Sequence, residues 1–110
     1  MSERNDNVYL QDIVDSIQAI EAYTLDITEH DFIDNQLLQD AVTRRFEIIG
    51  EAATHMSDSF KDKHPSIEWR LMGDMRNKLI HEYFGANPIT IYQTIQKDLP
   101  GLKAKILLLI

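Results

Sequence analysis

The spacing of apolar residues is the feature that most restricts the fold of this chain. Apolar residues recur three or four positions apart, first at Leu10, Ile13, Val14, Ile17 and Ile20. This spacing places them on one face of an α-helix. No stretch alternates apolar and polar residues as a half-buried strand does, and only four glycines and three prolines interrupt the pattern. The sequence therefore predicts an all-α protein.

We predict four main helices and one short helical turn. The helices cover approximately residues 7–23, 35–60, 66–83 (or 65–83) and 88–109, and the turn covers 29–34. Thr28 and Asn87 have side chains suited to capping a helix N-terminus, and Gly85 is suited to ending the third helix. Pro100 should kink the last helix because it removes a backbone hydrogen bond. Four helices joined by short loops indicate a bundle.

The length and composition favour one cytoplasmic domain over residues 1–110. A chain of 110 residues has the size of a single domain. It has no cysteine, which excludes disulfides, thiolate metal sites and thiol nucleophiles. The first residues lack the apolar core of a signal peptide, and the apolar run 106–110 is too short to span a bilayer. We expect no membrane contact.

The net charge argues against broad binding of nucleic acid. Eighteen Asp and Glu residues outnumber eleven Lys and Arg residues, which gives a charge of −7. Phosphate binding depends on local cations and on the release of counterions. Any role on RNA must therefore rest on a focused basic patch, for which the candidates are Arg44, Arg45, Arg70, Arg76 and Lys78.

The segment 75–84, MRNKLIHEYF, contains the residues best suited to chemistry. Asn77 and His81 lie four positions apart and therefore side by side on a helix. Arg76 is about 140° from His81 around the helix axis, but its side chain is long enough to reach the same surface. An arginine, an amide and an imidazole would then converge beside the phenol of Tyr83.

Such a group can cleave a phosphodiester without a metal. Histidine titrates near neutrality and serves as acid or base. Arginine remains charged and holds phosphate oxygens in a fork. One chain offers one histidine at this position, whereas in-line cleavage works best with both an acid and a base. A homodimer that places two such surfaces across a cleft would supply both.

Ordinary structural roles remain open for the same residues. An Arg–His pair on a helix is often a surface feature, and a tyrosine often buries its ring while its hydroxyl stays in water. On the second helix Arg44, Glu47 and Glu51 have the spacing of a local ion-pair ladder; alternatively, Glu47 or Glu51 holds Arg76. Arg45 lies within the apolar stripe, so it must extend to solvent or reach a partner across an interface. No motif of metal ligands and no glycine-rich phosphate loop occurs.

The chain resembles the HepT-like proteins, the HEPN halves of HEPN/MNT toxin–antitoxin pairs. The similar blocks cover 12–24 (DIVDSIQAIEAYT), 39–53 (QDAVTRRFEIIGEAA), 64–85 (HPSIEWRLMGDMRNKLIHEYFG) and 97–103 (KDLPGLK). The family signature is Arg, four residues, His, one residue and Tyr. In this sequence it consists of Arg76, His81 and Tyr83, with the usual polar residue, Asn77, after the arginine.

The resemblance implies a HEPN four-helix bundle with a kinked C-terminal helix, which forms a homodimer with the signature in its cleft. It implies the toxin of a type VII-like pair, a metal-independent endoribonuclease without a cofactor. In it Arg76 and His81 would be catalytic and Asn77 supporting. It also implies a minimal nucleotidyltransferase (MNT) antitoxin that transfers AMP from ATP to Tyr83. RNA is the implied substrate, and DNA is not expected.

The net charge keeps a second hypothesis open. The chain would then be a non-catalytic helical dimer that binds and regulates a partner nucleotidyltransferase. RNA binding that weakens steeply with salt would distinguish the ribonuclease from this alternative.

Overall fold

The computed structural model describes residues 2–81 and 87–110, and the side chains of residues 6–77 and 87–110. Within these ranges the chain forms helices and no strand. The described helices are α1 (Ser2–Thr24), α2 (Glu29–Ile33), α3 (Gln36–His55), α4 (Asp58–Lys63), α5 (Trp69–His81), α6 (Pro88–Lys97) and α7 (Leu99–Leu107). The predicted all-α class is confirmed.

Helix α3 occupies the centre of the bundle. It packs along α1 on one side and along α5 on the other. The apolar stripe of α1 is fully buried, as Ile13, Ile17 and Ile20 show, and Val42 of α3 is equally buried. Burial of such side chains contributes about 1.5–3 kcal/mol each relative to exposure. The α3–α5 contact is the one that positions the candidate site.

The predicted single helix over 35–60 is wrong, because the chain leaves the helix at Met56. Its backbone there is extended, with φ −59° and ψ 140°. The cause lies on α1: the buried carboxylate of Asp6 accepts hydrogen bonds from the backbone N–H of Ser57 at 2.8 Å and from its hydroxyl at 2.6 Å. The Ser57 oxygen in turn accepts from the N–H of Phe60 and caps α4. One long helix is thus divided into α3 and α4.

Two other helix boundaries differ from the prediction. Helix α1 begins at Ser2 instead of position 7, since its polar first turn carries no apolar periodicity that would reveal it. Helix α5 begins at Trp69 instead of position 65 or 66. The intervening residues form a turn in which Ile67 N–H donates to the carbonyl of His64, and the indole of Trp69 donates to the same carbonyl at 3.1 Å. The predicted end near Tyr83 and the stop at Gly85 lie outside the described residues.

The predicted caps and the C-terminal kink are confirmed. The Thr28 hydroxyl accepts from Asp31 N–H at 3.1 Å, and the Asn87 side-chain oxygen accepts from Ile89 N–H at 2.9 Å. The last helical region is divided at Asp98 into α6 and α7, with Pro100 in the first turn of α7. The main helices of the bundle are therefore α1, α3, α5 and the kinked pair α6–α7. Among the described helices, none is long and apolar enough to cross a bilayer.

Candidate active site on helix α5

Arg76 is fixed between α5 and α3. Its Nη2 lies 2.8 Å from the Oε2 of Glu51 on α3, and its Nη1 donates to the Oδ1 of neighbouring Asn77 at 3.0 Å. The Arg76 side chain is 24% exposed, whereas that of Glu51 is 54% exposed. The guanidinium is therefore half-buried, with its charge balanced by a carboxylate from a different helix.

Gly50 allows α5 to lie close enough for this pair to form. A Cβ at position 50 would overlap the Cβ of Arg76 and would lie 2.8 Å from the carbonyl oxygen of Met72. Only glycine fits where two helix backbones approach so closely. The importance of Gly50 was not predicted from the sequence; the available signal was a glycine inside an amphipathic helix, where it costs about 1 kcal/mol relative to alanine.

The Nε of Arg76 is buried and has no hydrogen-bond partner among the described residues. Buried donors are usually paired, so an unpaired one shows that other contacts determine the position of the group. Here those contacts are the Glu51 ion pair and the packing against Gly50. Each Nη has one partner, Glu51 for Nη2 and Asn77 for Nη1, and keeps one further N–H.

Of the two acidic residues predicted to hold Arg76, Glu51 makes the contact. Within the described residues no ion pair joins Glu47 to Arg76, and none joins Arg44 to Glu47 or Glu51, so the predicted ladder does not form. Glu51 also lies 3.9 Å from the Nδ1 of His55, which bonds the backbone carbonyl of Glu51 at 2.8 Å.

The other residues of the signature are placed only in part. Asn77 is exposed beside Arg76. His81 is the last residue of α5, about 7.5 Å along the helix axis from Arg76. The side chain of His81 and the whole of Tyr83 lie outside the described residues. The structure thus brings together Arg76, Asn77 and Glu51.

The predicted basic patch is only partly paired with acidic residues within the described part of the chain, through Arg70 and Arg76. Arg70 lies 4.0 Å from Asp74, one turn further along α5. Arg45 donates to the hydroxyl of Tyr23 at 3.5 Å, so it reaches α1 of its own chain and does not require an interface. Arg44 is exposed, and the side chain of Lys78 lies outside the described residues.

Within the described residues, α5 borders two concave surfaces. An open groove of about 750 Å³ is lined by residues that include Asn77, Arg70 and Lys61; Arg76 is not in its lining but donates to Asn77. A smaller cavity of about 230 Å³ lies between α5 and the α6–α7 junction, with neither Arg76 nor Asn77 in its lining. Within the described residues no three His, Asp or Glu side chains are grouped as metal ligands.

Comparison with known proteins gives a consistent set of relatives. The model of the HepT-like ribonuclease family matches residues 13–109. A protein of Thermococcus cleftensis named "Probable ribonuclease HepT" is 44% identical over 103 residues, which cover 94% of each chain. A candidate RNase of Methanocaldococcus jannaschii is 37% identical over 106 residues, 96% of this chain and 97% of the relative. Another of Caldanaerobacter subterraneus is 37% identical over 98 residues, 89% of this chain and 88% of the relative. No solved structure matches this chain.

Proposed function

Because the chain belongs to the HepT-like ribonuclease family, we propose that it is the endoribonuclease toxin of a HEPN/MNT toxin–antitoxin pair. The observation that carries this proposal is the half-buried guanidinium of Arg76, which Glu51 holds at Nη2 and Asn77 holds at Nη1, and which keeps one further N–H on each Nη. A fixed arginine is suited to stabilise the negative charge that develops on phosphorus.

The proposed reaction needs no metal ion. The ribose 2′-hydroxyl attacks the adjacent phosphorus, and a histidine takes the hydroxyl proton. A bond forms between the 2′-oxygen and phosphorus, and the bond to the 5′-oxygen breaks. A second histidine protonates the leaving 5′-oxygen. The products are a 2′,3′-cyclic phosphate and a 5′-hydroxyl. Arg76 stabilises the phosphorane, His81 transfers protons, and Asn77 orients the phosphate.

Two His81 side chains at one phosphate require two copies of the chain. We propose a homodimer in which the α5 helices face a shared cleft, so that each subunit supplies one His81. The exposed apolar side chains at the C-terminus support self-association, since Leu108 is 84% exposed and Ile110 is 66% exposed. Light scattering at micromolar concentration should give the mass of a dimer. A monomer alone would exclude the shared site.

The test of cleavage uses single substitutions in the presence of a chelator. Wild-type protein should cut RNA in EDTA, whereas Arg76→Ala and His81→Ala should be inactive. His30→Ala is the matched control, because His30 is an exposed histidine on α2 that pairs only with Asp34 among the described residues. If both signature variants cut as fast as wild type, the mechanism is wrong.

The proposed regulation is covalent modification of Tyr83 by an MNT antitoxin. The tyrosine oxygen attacks the α-phosphate of ATP, the phenol loses its proton, and pyrophosphate leaves. The added phosphate and adenosine would lie two residues from His81 and block the cleft by charge and by size. After co-expression with a minimal nucleotidyltransferase, the intact mass should increase by one AMP per chain. Tyr83→Phe should abolish the increase, whereas Tyr23→Phe, at a partly exposed tyrosine of α1, should not.

The net charge of −7 favours the alternative, a non-catalytic dimer that binds and regulates a nucleotidyltransferase. This alternative predicts no measurable RNA binding even at low salt, together with tight binding of the nucleotidyltransferase. The ribonuclease proposal predicts RNA binding that weakens as salt increases.

A further inference from the structure

Helix α3 contributes to the site through Glu51. Within the described residues, the one ion pair that Glu51 makes with another helix is with Arg76 of α5. The contact is short, at 2.8 Å, and joins residues 25 positions apart in the chain. A partly exposed ion pair usually contributes little to stability because water screens it. The consequence of this pair therefore lies in the arrangement of the guanidinium.

We propose that Glu51 is the positioning residue for Arg76 in RNA cleavage. This inference rests on the proposed ribonuclease function. Glu51 fixes the direction of the guanidinium through Nη2, while the absence of a side chain at Gly50 sets the distance between α3 and α5. Arg76 then approaches a phosphate in one orientation, without having to be ordered first.

The count of donors agrees with this role. A guanidinium has five N–H groups. In Arg76 one N–H of Nη2 faces Glu51, one of Nη1 bonds Asn77, and the Nε–H is buried. One N–H therefore remains on each Nη. Two N–H groups from one arginine are the number that a two-point contact with a phosphate uses.

If Glu51 instead competed with phosphate for Arg76, its removal would change the rate of cleavage in the opposite direction. If the carboxylate merely occupied Arg76 and competed with phosphate, its removal would increase cleavage. If it positions Arg76, removal lets the guanidinium rotate, and the transition state loses its stabilisation. The loss should appear in kcat more than in KM, because a loose arginine still attracts phosphate but no longer fits the phosphorane.

The kinetic experiment compares Glu51→Ala with Glu51→Gln. Glu51→Ala should lower kcat on the order of 100-fold, the size expected for a catalytic group displaced by about 1 Å, and should change KM little. Glu51→Gln should recover part of kcat, since its amide oxygen still accepts from Nη2. Glu29→Gln is the control for charge, because it removes one carboxylate from α2, and it should match wild type.

A second measurement needs no activity. In the ¹⁵N spectrum the Nε–H of Arg76, assigned by its loss in Arg76→Lys, should exchange slowly with water in wild type because it is buried. Glu51→Ala should accelerate this exchange, and Glu51→Gln should do so less. If wild type cuts no RNA but the exchange still depends on Glu51, the proposed function fails and the positioning stands. Unchanged exchange and kcat in Glu51→Ala, or faster cleavage, would overturn the positioning role.

Discussion

At the scale of single residues, the contact of Gly50 with Arg76 determines how closely α3 and α5 approach. Gly50→Ala should destabilise the fold by about 1–3 kcal/mol, because an added methyl would overlap Arg76 and approach the Met72 carbonyl, and neither backbone can move freely. Gly101→Ala is the matched control. A Cβ there has no atom within 4 Å, so the helix preference of alanine should stabilise α7 by about 0.5–1 kcal/mol. Urea unfolding of the two variants should show shifts of opposite sign.

Asp6 also stabilises a part of the chain that is distant in sequence, since it accepts hydrogen bonds from Ser57. Asp6→Ala should lower the free energy of unfolding by about 1–3 kcal/mol, because it removes the acceptor of two bonds from Ser57 and leaves a partly buried N–H unpaired. Asp12→Ala, on the exposed face of the same helix, should change stability by less than about 0.5 kcal/mol. If both variants lowered the thermal stability equally, the hydrogen bonds between Asp6 and Ser57 would contribute nothing to the stability of the fold.

At the scale of helices, capping residues contribute strongly to the stability of each helix N-terminus. Asn87→Ala should cost about 1 kcal/mol, since the side-chain oxygen accepts from Ile89 N–H and Pro88 already fixes the first turn of α6. Asn87→Asp retains a capping oxygen and should remain close to wild type. The measurement is the urea midpoint of each variant. A loss of the same size for both would mean that the cap does not stabilise α6.

The helices also show which features a sequence can predict. Thr28, Asn87 and Pro100 act within a few residues of themselves, so their effects on helix ends were predictable from local chemistry. The break between α3 and α4 was not predictable in this way, because it depends on Asp6, which lies 51 positions before Ser57.

The residues of the candidate site likewise include some that the local sequence predicts and some that depend on contacts between distant parts of the chain. Arg76 and Asn77 are neighbours in sequence and were identified together. The choice of Glu51 over Glu47 depends on where α5 crosses α3, and that crossing is set by Gly50 through packing that no local pattern encodes.

At the scale of the whole molecule, the distribution of charge matters more than its total. Residues 1–40 contain ten acidic and one basic residue, whereas residues 41–110 contain eight acidic and ten basic residues. The acidic excess therefore belongs to α1, α2 and the start of α3, and the part of the chain that carries α5 is nearly balanced. The charge of −7 does not describe the surroundings of Arg76, so it is a weaker argument against RNA than the total indicates.

This distribution leads to a prediction about salt. Arg76 is the cation that we propose to contact phosphate, so it should account for part of the counterion release when RNA binds, although its Nη2 also pairs with Glu51. For single strands the slope of log K against log salt changes by about 0.7 per phosphate contact. Arg76→Ala should thus reduce the slope by about 1.4 in a dimer with two facing copies, measured with 2′-O-methyl RNA that cannot be cut. Lys103→Ala, which removes a cation paired with Glu21, should leave the slope unchanged. If the Arg76 variant keeps the wild-type slope, Arg76 does not contact phosphate, because the salt dependence reports that contact independently of any effect on cleavage.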